Sequence, residues 1–239
     1  MGRIGQCGVA GAARFARTSL FSGANNFRDL TSDPLLSAAL GFSEGEIRAT
    51  FGPELERLGR DSTEGSTVDD ALQELARWYN GYCFDEMGTA ACFNPYPVLV
   101  ALANGKLTTK EMEGASGTNW LGLTPADVTR GVVGDLLKGA AVSVEQVNVD
   151  LADLRARRVD VRALLLQTGL LTLSRKPSAE AGVLECVVPN EYARQSLVRM
   201  LRSAWPGLPT AEVASQLVQA VRERDRRRFA EIICTAIRN

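Results

Sequence analysis

Arg77-Trp78-Tyr79-Asn80-Gly81-Tyr82-Cys83-Phe84, followed by Phe93-Asn94-Pro95-Tyr96-Pro97, is the stretch against which the rest of the chain is read. Five aromatic residues fall between Trp78 and Phe93 in a chain that is 6% aromatic, so the largest apolar side chains need a common core here. Asn80-Gly81 signals a turn, because both residues tolerate positive φ. Before it, Leu72, Leu75, Ala76 and Tyr79 recur at helical spacing. After it, Tyr82-Cys83-Phe84 and Ala91-Cys92-Phe93 are β-prone runs flanking a loop from Asp85 to Thr89. Asn94 precedes a proline and opens an apolar helix with Val98, Leu99, Ala101 and Leu102. The pattern from Ala71 to Leu102 predicts helix, tight turn, small hairpin and capped helix. By itself it names no reaction.

Toward the N-terminus, Asp33-Pro34 predicts a short helix through Leu36, Ala39 and Leu40, capped by Asp33 and ended by Gly41. Ser43 followed by Glu46 is a capping box that starts the next helix at Glu44. Arg60 to Thr67 reads as a polar loop. Gly105 to Pro125 is loop-rich, anchored by Asn119-Trp120-Leu121, and Thr124-Pro125-Ala126-Asp127 caps a helix with Val128, Val132, Val133, Leu136 and Leu137. Beyond Gly139, Val142, Val144, Val147 and Val149 alternate as in a half-buried strand. Val161 to Leu166 is an apolar helix end, stopped by Gln167-Thr168-Gly169. Leu170 to Leu173 and Val183 to Val188 are strand-like runs joined by the polar connection Ser174 to Gly182. Pro189-Asn190-Glu191 starts a helix with Tyr192, Leu197, Met200 and Leu201. Helix, long hairpin, helix is the order of a winged-helix unit, with the connection as its wing. Thr210 to Arg238 predicts two more helices, one with a stripe of Val213, Leu217 and Val221, the other with Phe229, Ile232, Ile233 and Ile237.

Composition narrows the chemistry. The 239 residues carry 27 basic and 28 acidic side chains, a net charge of −1, which gives no whole-chain reason to expect nucleic acid, an acidic membrane or a polyanionic substrate. No apolar run approaches the roughly 20 residues of a membrane helix, and Met1 to Ala10 lacks the apolar core of a signal peptide. The cysteines Cys7, Cys83, Cys92, Cys186 and Cys234 are spread out and odd in number, which reads as reduced core residues of an intracellular, cytoplasmic protein. Cys83 and Cys92 could also face each other across the hairpin. The absence of histidine removes serine-histidine and cysteine-histidine catalysis and His-ligated zinc, and there is no Cys-x-x-Cys pair to hold a metal. Gly2, Gly5, Gly8 and Gly11 form no P-loop: the only Gly-Lys pair, Gly105-Lys106, precedes Leu107 rather than a hydroxyl residue. They read as a flexible N-terminus joined to a short buried strand.

These residues resemble the AAA-ATPase-like domain of proteins that often carry a PD-(D/E)XK nuclease-like domain behind it. The resemblance rests on Gly11-Ala12-Ala13-Arg14-Phe15-Ala16, Ser19-Leu20-Phe21-Ser22-Gly23-Ala24-Asn25-Asn26-Phe27-Arg28-Asp29, Gly41-Phe42-Ser43, Arg77 to Phe84, Phe93 to Tyr96, Leu165 to Thr172 and Val188-Pro189-Asn190-Glu191. It implies a mainly α (α+β) fold in four parts. Residues 1–28 would hold the last strand and sensor-like segment of an incomplete ATPase core, and 29–138 a helical lid with the aromatic hairpin. Residues 139–204 would form a winged-helix-like unit and 205–239 a C-terminal helical linker. Intact relatives bind ATP and Mg²⁺ through a P-loop and a Walker B strand placed upstream of the matched segment. Neither motif occurs in this sequence, and the family's sensor threonine is Ala10. The nuclease signature is absent too.

The resemblance makes Arg14 the cofactor-binding candidate, since it follows the sensor strand; the plainer reading is a surface arginine paired with a carboxylate. No catalytic or metal-binding residue is expected, and ATP hydrolysis by the chain alone is not, because phosphoryl transfer depends on positioning the phosphates and the metal. Asn25, Asn26 and Asn80 fit turn and capping roles. Trp78, Tyr79 and Tyr82 fit a packed core more simply than a base-stacking platform. Arg155, Arg157 and Arg158, and Arg222 with Arg224, Arg226, Arg227 and Arg228, are the basic clusters. Expected partners are a protein or an ATPase core. The alternative is a module that binds nucleic acid or protein through the winged-helix unit, with Arg175 and Lys176 at the root of the wing.

Overall fold

The computed structural model describes residues 15–16, 30, 33–62, 67–108, 124, 126–145, 149–150, 159–176, 182–204, 211–223, 225–228 and 230–232. The fold is mainly α with a small three-stranded antiparallel sheet. It divides into two compact units, Met1–Leu197 and Val198–Asn239.

In the first unit the helices start where short polar side chains can hold free backbone N–H groups. Ser43 caps α1 (Glu44–Thr50) in a full capping box: its hydroxyl accepts from Glu46 N at 3.2 Å and its own N–H donates to Glu46 Oε2 at 2.8 Å. The helix stops at Phe51, and Gly52-Pro53 opens α2 (Gly52–Ser62). A second capping box, Thr67 with Asp70, opens α3 (Val68–Tyr79); the sequence reading saw only a polar loop there. Asn94 caps α4 (Pro95–Asn104) through Tyr96 N at 3.2 Å, as its place before Pro95 predicts. Gly105 ends α4 at φ 66°. Arg48 pairs with Asp69, and the Arg57 guanidinium donates to the Leu102 carbonyl near the end of α4. The apolar faces converge on Ile47, Leu55, Leu72, Leu75, Tyr79 and Val98, and Phe93 and Tyr192 join them.

Residues 34–40 depart from expectation. Leu36 N donates to Asp33 O, Ala39 N to Leu36 O and Gly41 N to Ala38 O, so the segment is a string of four-residue turns rather than an α-helix. Asp33 does cap it, accepting from Leu35 N at 3.0 Å. In this geometry Ser37 is buried while Leu35 and Leu40 face out.

The second half of the unit begins with α5 (Ala126–Leu137), where Val133 and Leu136 are buried and Val128 is exposed. The valine alternation from 142 to 149 is two strands in different sheets, where one was expected. β2 (Val142–Val144) pairs antiparallel with β5 (Leu184–Val187), while β3 (Val149–Asp150) pairs in parallel with β1 (Phe15–Ala16). The cause is the partner's length: Val144 faces Leu184, the first residue of β5, just past Gly182 at φ 82°. Among the described residues the β2–β5 ladder runs no further than Val144 and Leu184. Asp160 caps α6 (Val161–Gln167), Thr168 and Gly169 end it, and β4 (Thr172–Leu173) completes the sheet order β2-β5-β4. α7 (Glu191–Ala204) then follows Asn190.

The second unit contains α8 (Ala211–Arg222) and helical residues at 226–228 and 230–232. Its stripe is rotated from the one expected, because Ala220 is buried whereas Val221 is 61% exposed.

Candidate functional site at the aromatic turn

The Asn80-Gly81 turn is where motifs far apart in sequence meet. α3 ends at Tyr79, and Asn80 leaves the helix in an extended conformation, its side-chain Oδ1 accepting from Gly81 N at 2.7 Å. Gly81 sits at φ 96°, and a Cβ there would lie 2.5 Å from the Pro189 carbonyl oxygen. Only glycine lets these backbones touch. The Asn190 amide donates to the Asn80 carbonyl at 2.7 Å, while its Oδ1 accepts from Ala193 N at 3.0 Å and so caps α7. One side chain therefore closes the turn and starts the helix.

Tyr82 and Cys83 extend the junction. The Tyr82 hydroxyl donates to the Gly169 carbonyl at 3.1 Å. The Thr172 hydroxyl accepts from Cys83 N at 2.7 Å and donates to the Cys83 carbonyl at 2.8 Å, standing in for a neighbouring strand. The expected hairpin is thereby reduced to the single bridge of Tyr82 with Cys92, because Cys83 bonds to Thr172 and Phe93 pairs with Phe42. On the other side Tyr79 meets Tyr192 edge to face, ring centroids 5.5 Å apart. The Tyr79 hydroxyl donates to Thr108 O at 3.0 Å and accepts from Thr108 N at 2.8 Å.

The charges around the junction are internally matched. Glu191 takes a forked bond from Arg194, at 2.8 and 2.9 Å, and a further one from Gln195. The Arg194 bonds hold the Glu191 carboxyl below its usual range, with Arg77 adding to the effect. Arg77 itself pairs with Glu74 and lies 5.7 Å from the Trp78 ring centroid. Among the described residues the buried Trp78 indole N–H has no hydrogen-bond partner. Asp85, fully buried, is a carboxylate the sequence reading passed over as loop. Burial pushes its pKa up, but bonds from the Thr89 N–H at 3.1 Å and hydroxyl at 2.9 Å, with the Ser37 hydroxyl and Met87 N–H, outweigh that and hold it below the ordinary value.

Cys83, Cys92 and Cys186 are free and buried, and burial raises all three thiols, Cys92 to about 11 and Cys186 to about 12. They are protonated at neutral pH and unsuited to nucleophilic attack. Asn80 serves the turn. Tyr79 and Tyr82 spend their rings in the core and their hydroxyls on backbone, while Trp78 is half-buried. Arg175 and Lys176 are exposed after β4, and Arg227 and Arg228 pair with Glu231 and Glu223. Arg14, Asn25, Asn26, the cluster Arg155, Arg157 and Arg158, and Arg224 lie outside the described residues. Among the described residues no group of three or more His, Cys, Asp or Glu could hold a metal ion. Among them, too, no helix is long and apolar enough to cross a membrane.

No family model matches the chain, and no solved structure matches it. It is similar to a curated protein of Azotobacter chroococcum mcd 1 described as "Uncharacterized protein in vnfD 5'region", 36% identical over 92 residues. That alignment covers 38% of this chain and spans 15% of the length of the relative.

Proposed function

We propose that the chain is the lid and winged-helix portion of an AAA-ATPase-like, P-loop NTPase-related module that does not hydrolyse ATP on its own. The observation that carries this reading is the convergence of the resembling motifs. Trp78 to Phe84, Leu165 to Thr172 and Val188 to Glu191, separated by up to 110 positions in the hydrogen bond of Asn190 to Asn80, form one packed junction. Segments far apart in the sequence that carry the resemblance thus share one packed junction, which supports reading them as parts of one module. The order α6, β4, β5, α7 with β2 at the sheet's edge supports the winged-helix part of the reading.

The test is binding of fluorescently labelled ATP. The chain alone gives no saturable signal, and a polypeptide that joins it in frame to a P-loop core binds with micromolar or tighter affinity; failure of the joined protein to bind abandons the reading. A second reading, a nucleic-acid-binding module, rests on exposed Arg175 and Lys176 after β4. Binding of a DNA duplex by the chain alone, weakening steeply as salt rises, would favour it over the first.

A further inference from the structure

We infer that the Asn80-Gly81 junction is a rigid coupling, through which the α1–α4 bundle and the α6–β4–β5 sheet region open as one body rather than hinging against each other. Asn-Gly tolerates backbone conformations closed to most residues, and here several contacts hold it in one. Gly81 has no room for a methyl group against Pro189. The Asn80 carbonyl is held by Asn190, the Tyr82 hydroxyl by Gly169, and both backbone groups of Cys83 by the Thr172 hydroxyl. A second glycine repeats the device seven residues on: Gly88, at φ 65°, lies where a Cβ would stand 2.7 Å from the Arg175 carbonyl oxygen. The loop from Asp85 to Thr89 is itself closed by the buried carboxylate.

Hydrogen bonds tie the turn to the sheet region at Gly169 and Thr172 before the hairpin connection and at Asn190 after it, and close backbone approaches of Gly81 to Pro189 and Gly88 to Arg175 flank them. A hinge needs backbone that can change φ and ψ without losing partners. The Asn80 and Gly169 carbonyls and both backbone groups of Cys83 would each lose one. A displacement of the bundle is therefore delivered undamped to β4 and β5. The inference stands on the junction alone and does not depend on nucleotide binding.

Native-state hydrogen exchange on the whole chain tests it. In the unaltered protein the slowest amides of α3 and of β5 share one opening equilibrium and one dependence on denaturant. Combining Asn190→Asp, Tyr82→Phe and Thr172→Val makes the β5 amides exchange about tenfold or more faster relative to those of α3, since each lost bond has a modest but separate effect. Two distinct openings in the unaltered protein, or equal acceleration of both sets in the variant, would overturn the inference. Should the triple variant not fold, Asn190→Asp alone carries the test, because its carboxylate still caps α7 at Ala193 while losing the bond to Asn80. It then splits the two sets about fivefold, and an equal shift in both rejects the coupling.

Discussion

The α1–α4 bundle and the C-terminal helices are both amphipathic in sequence, yet they solve the burial problem differently. In the bundle Ile47, Leu55, Leu75 and Tyr79 are completely shielded, and two capping boxes fix where α1 and α3 begin. In α8 Ala220 is the buried residue, Val218 and Val221 are more than half exposed, and beyond it ion pairs link exposed side chains, such as Arg227 with Glu231. Periodicity says which residues could share a face. It does not say how deep that face is buried, and depth is what sets the energy.

The sharpest way to break this comparison is to cut the same chemistry from both regions. Leu75→Ala leaves a cavity in a fully packed site and costs about 3–5 kcal/mol, read as a drop in the urea midpoint at unchanged slope. Leu217→Ala, on a half-buried position of α8, costs about 1 kcal/mol by the smaller area it covers. Equal losses at the two sites would mean that the bundle is not the better packed region.

Next in size is Tyr79→Phe. The ring keeps its packing on Tyr192, but Thr108 loses both an acceptor for its N–H and a donor for its carbonyl. A loss of about 1–3 kcal/mol follows from removing these two part-buried bonds. A variant as stable as the parent would show that the aromatic packing alone holds the turn.

How much of this was legible depends on sequence separation. The Ser43–Glu46 box, the Asn94 cap, the positive φ of Gly81 and the stop at Gly169 were readable because each is decided within a few residues. The Thr67–Asp70 box was equally local and was overlooked in a stretch that reads as polar loop. Thr172 bonding to Cys83 across 89 positions and Asn190 to Asn80 across 110 were not readable: threonine and asparagine look alike whether they cap, turn or bridge. The same bonds explain the lost hairpin, since backbone groups expected to pair locally found distant partners. For residues 34–40, the leucine spacing fits a helix, and it is the four-residue turns that bury Ser37 beside Asp85 instead.

Acid should separate the regions more gently. Hydrogen bonds from Ser43 lower the pKa of Glu46 below its ordinary 4.5, those from Thr67 lower Asp70 below 3.8, and Asp85 is lowered as described above. Each carboxylate is more acidic folded than unfolded, so its contribution is complete above the ordinary value and fades as pH falls through the folded one. Stability of the bundle therefore declines between about pH 5 and pH 3. Glu46→Gln keeps the capping-box geometry without the charge. Combined with Asp70→Asn it flattens that decline, which urea midpoints at successive pH values would reveal; an unchanged slope would remove the capping boxes from the acid response.

The smallest expected effect is at Val221, whose place in the sequence suggests the core but whose side chain is 61% exposed. Val221→Ser removes apolar surface that already meets water, so its effect falls within about 0.5 kcal/mol of zero. Ala220→Ser, one position earlier, puts a hydroxyl into a site only 1% exposed and is the more damaging change by about 1–2 kcal/mol, unless the hydroxyl finds a backbone carbonyl one turn back. Measured together by thermal melting, the pair reads the rotation of the α8 stripe directly. A larger loss at Val221 than at Ala220 would return the stripe to Val213, Leu217 and Val221, the arrangement that simple periodicity favours.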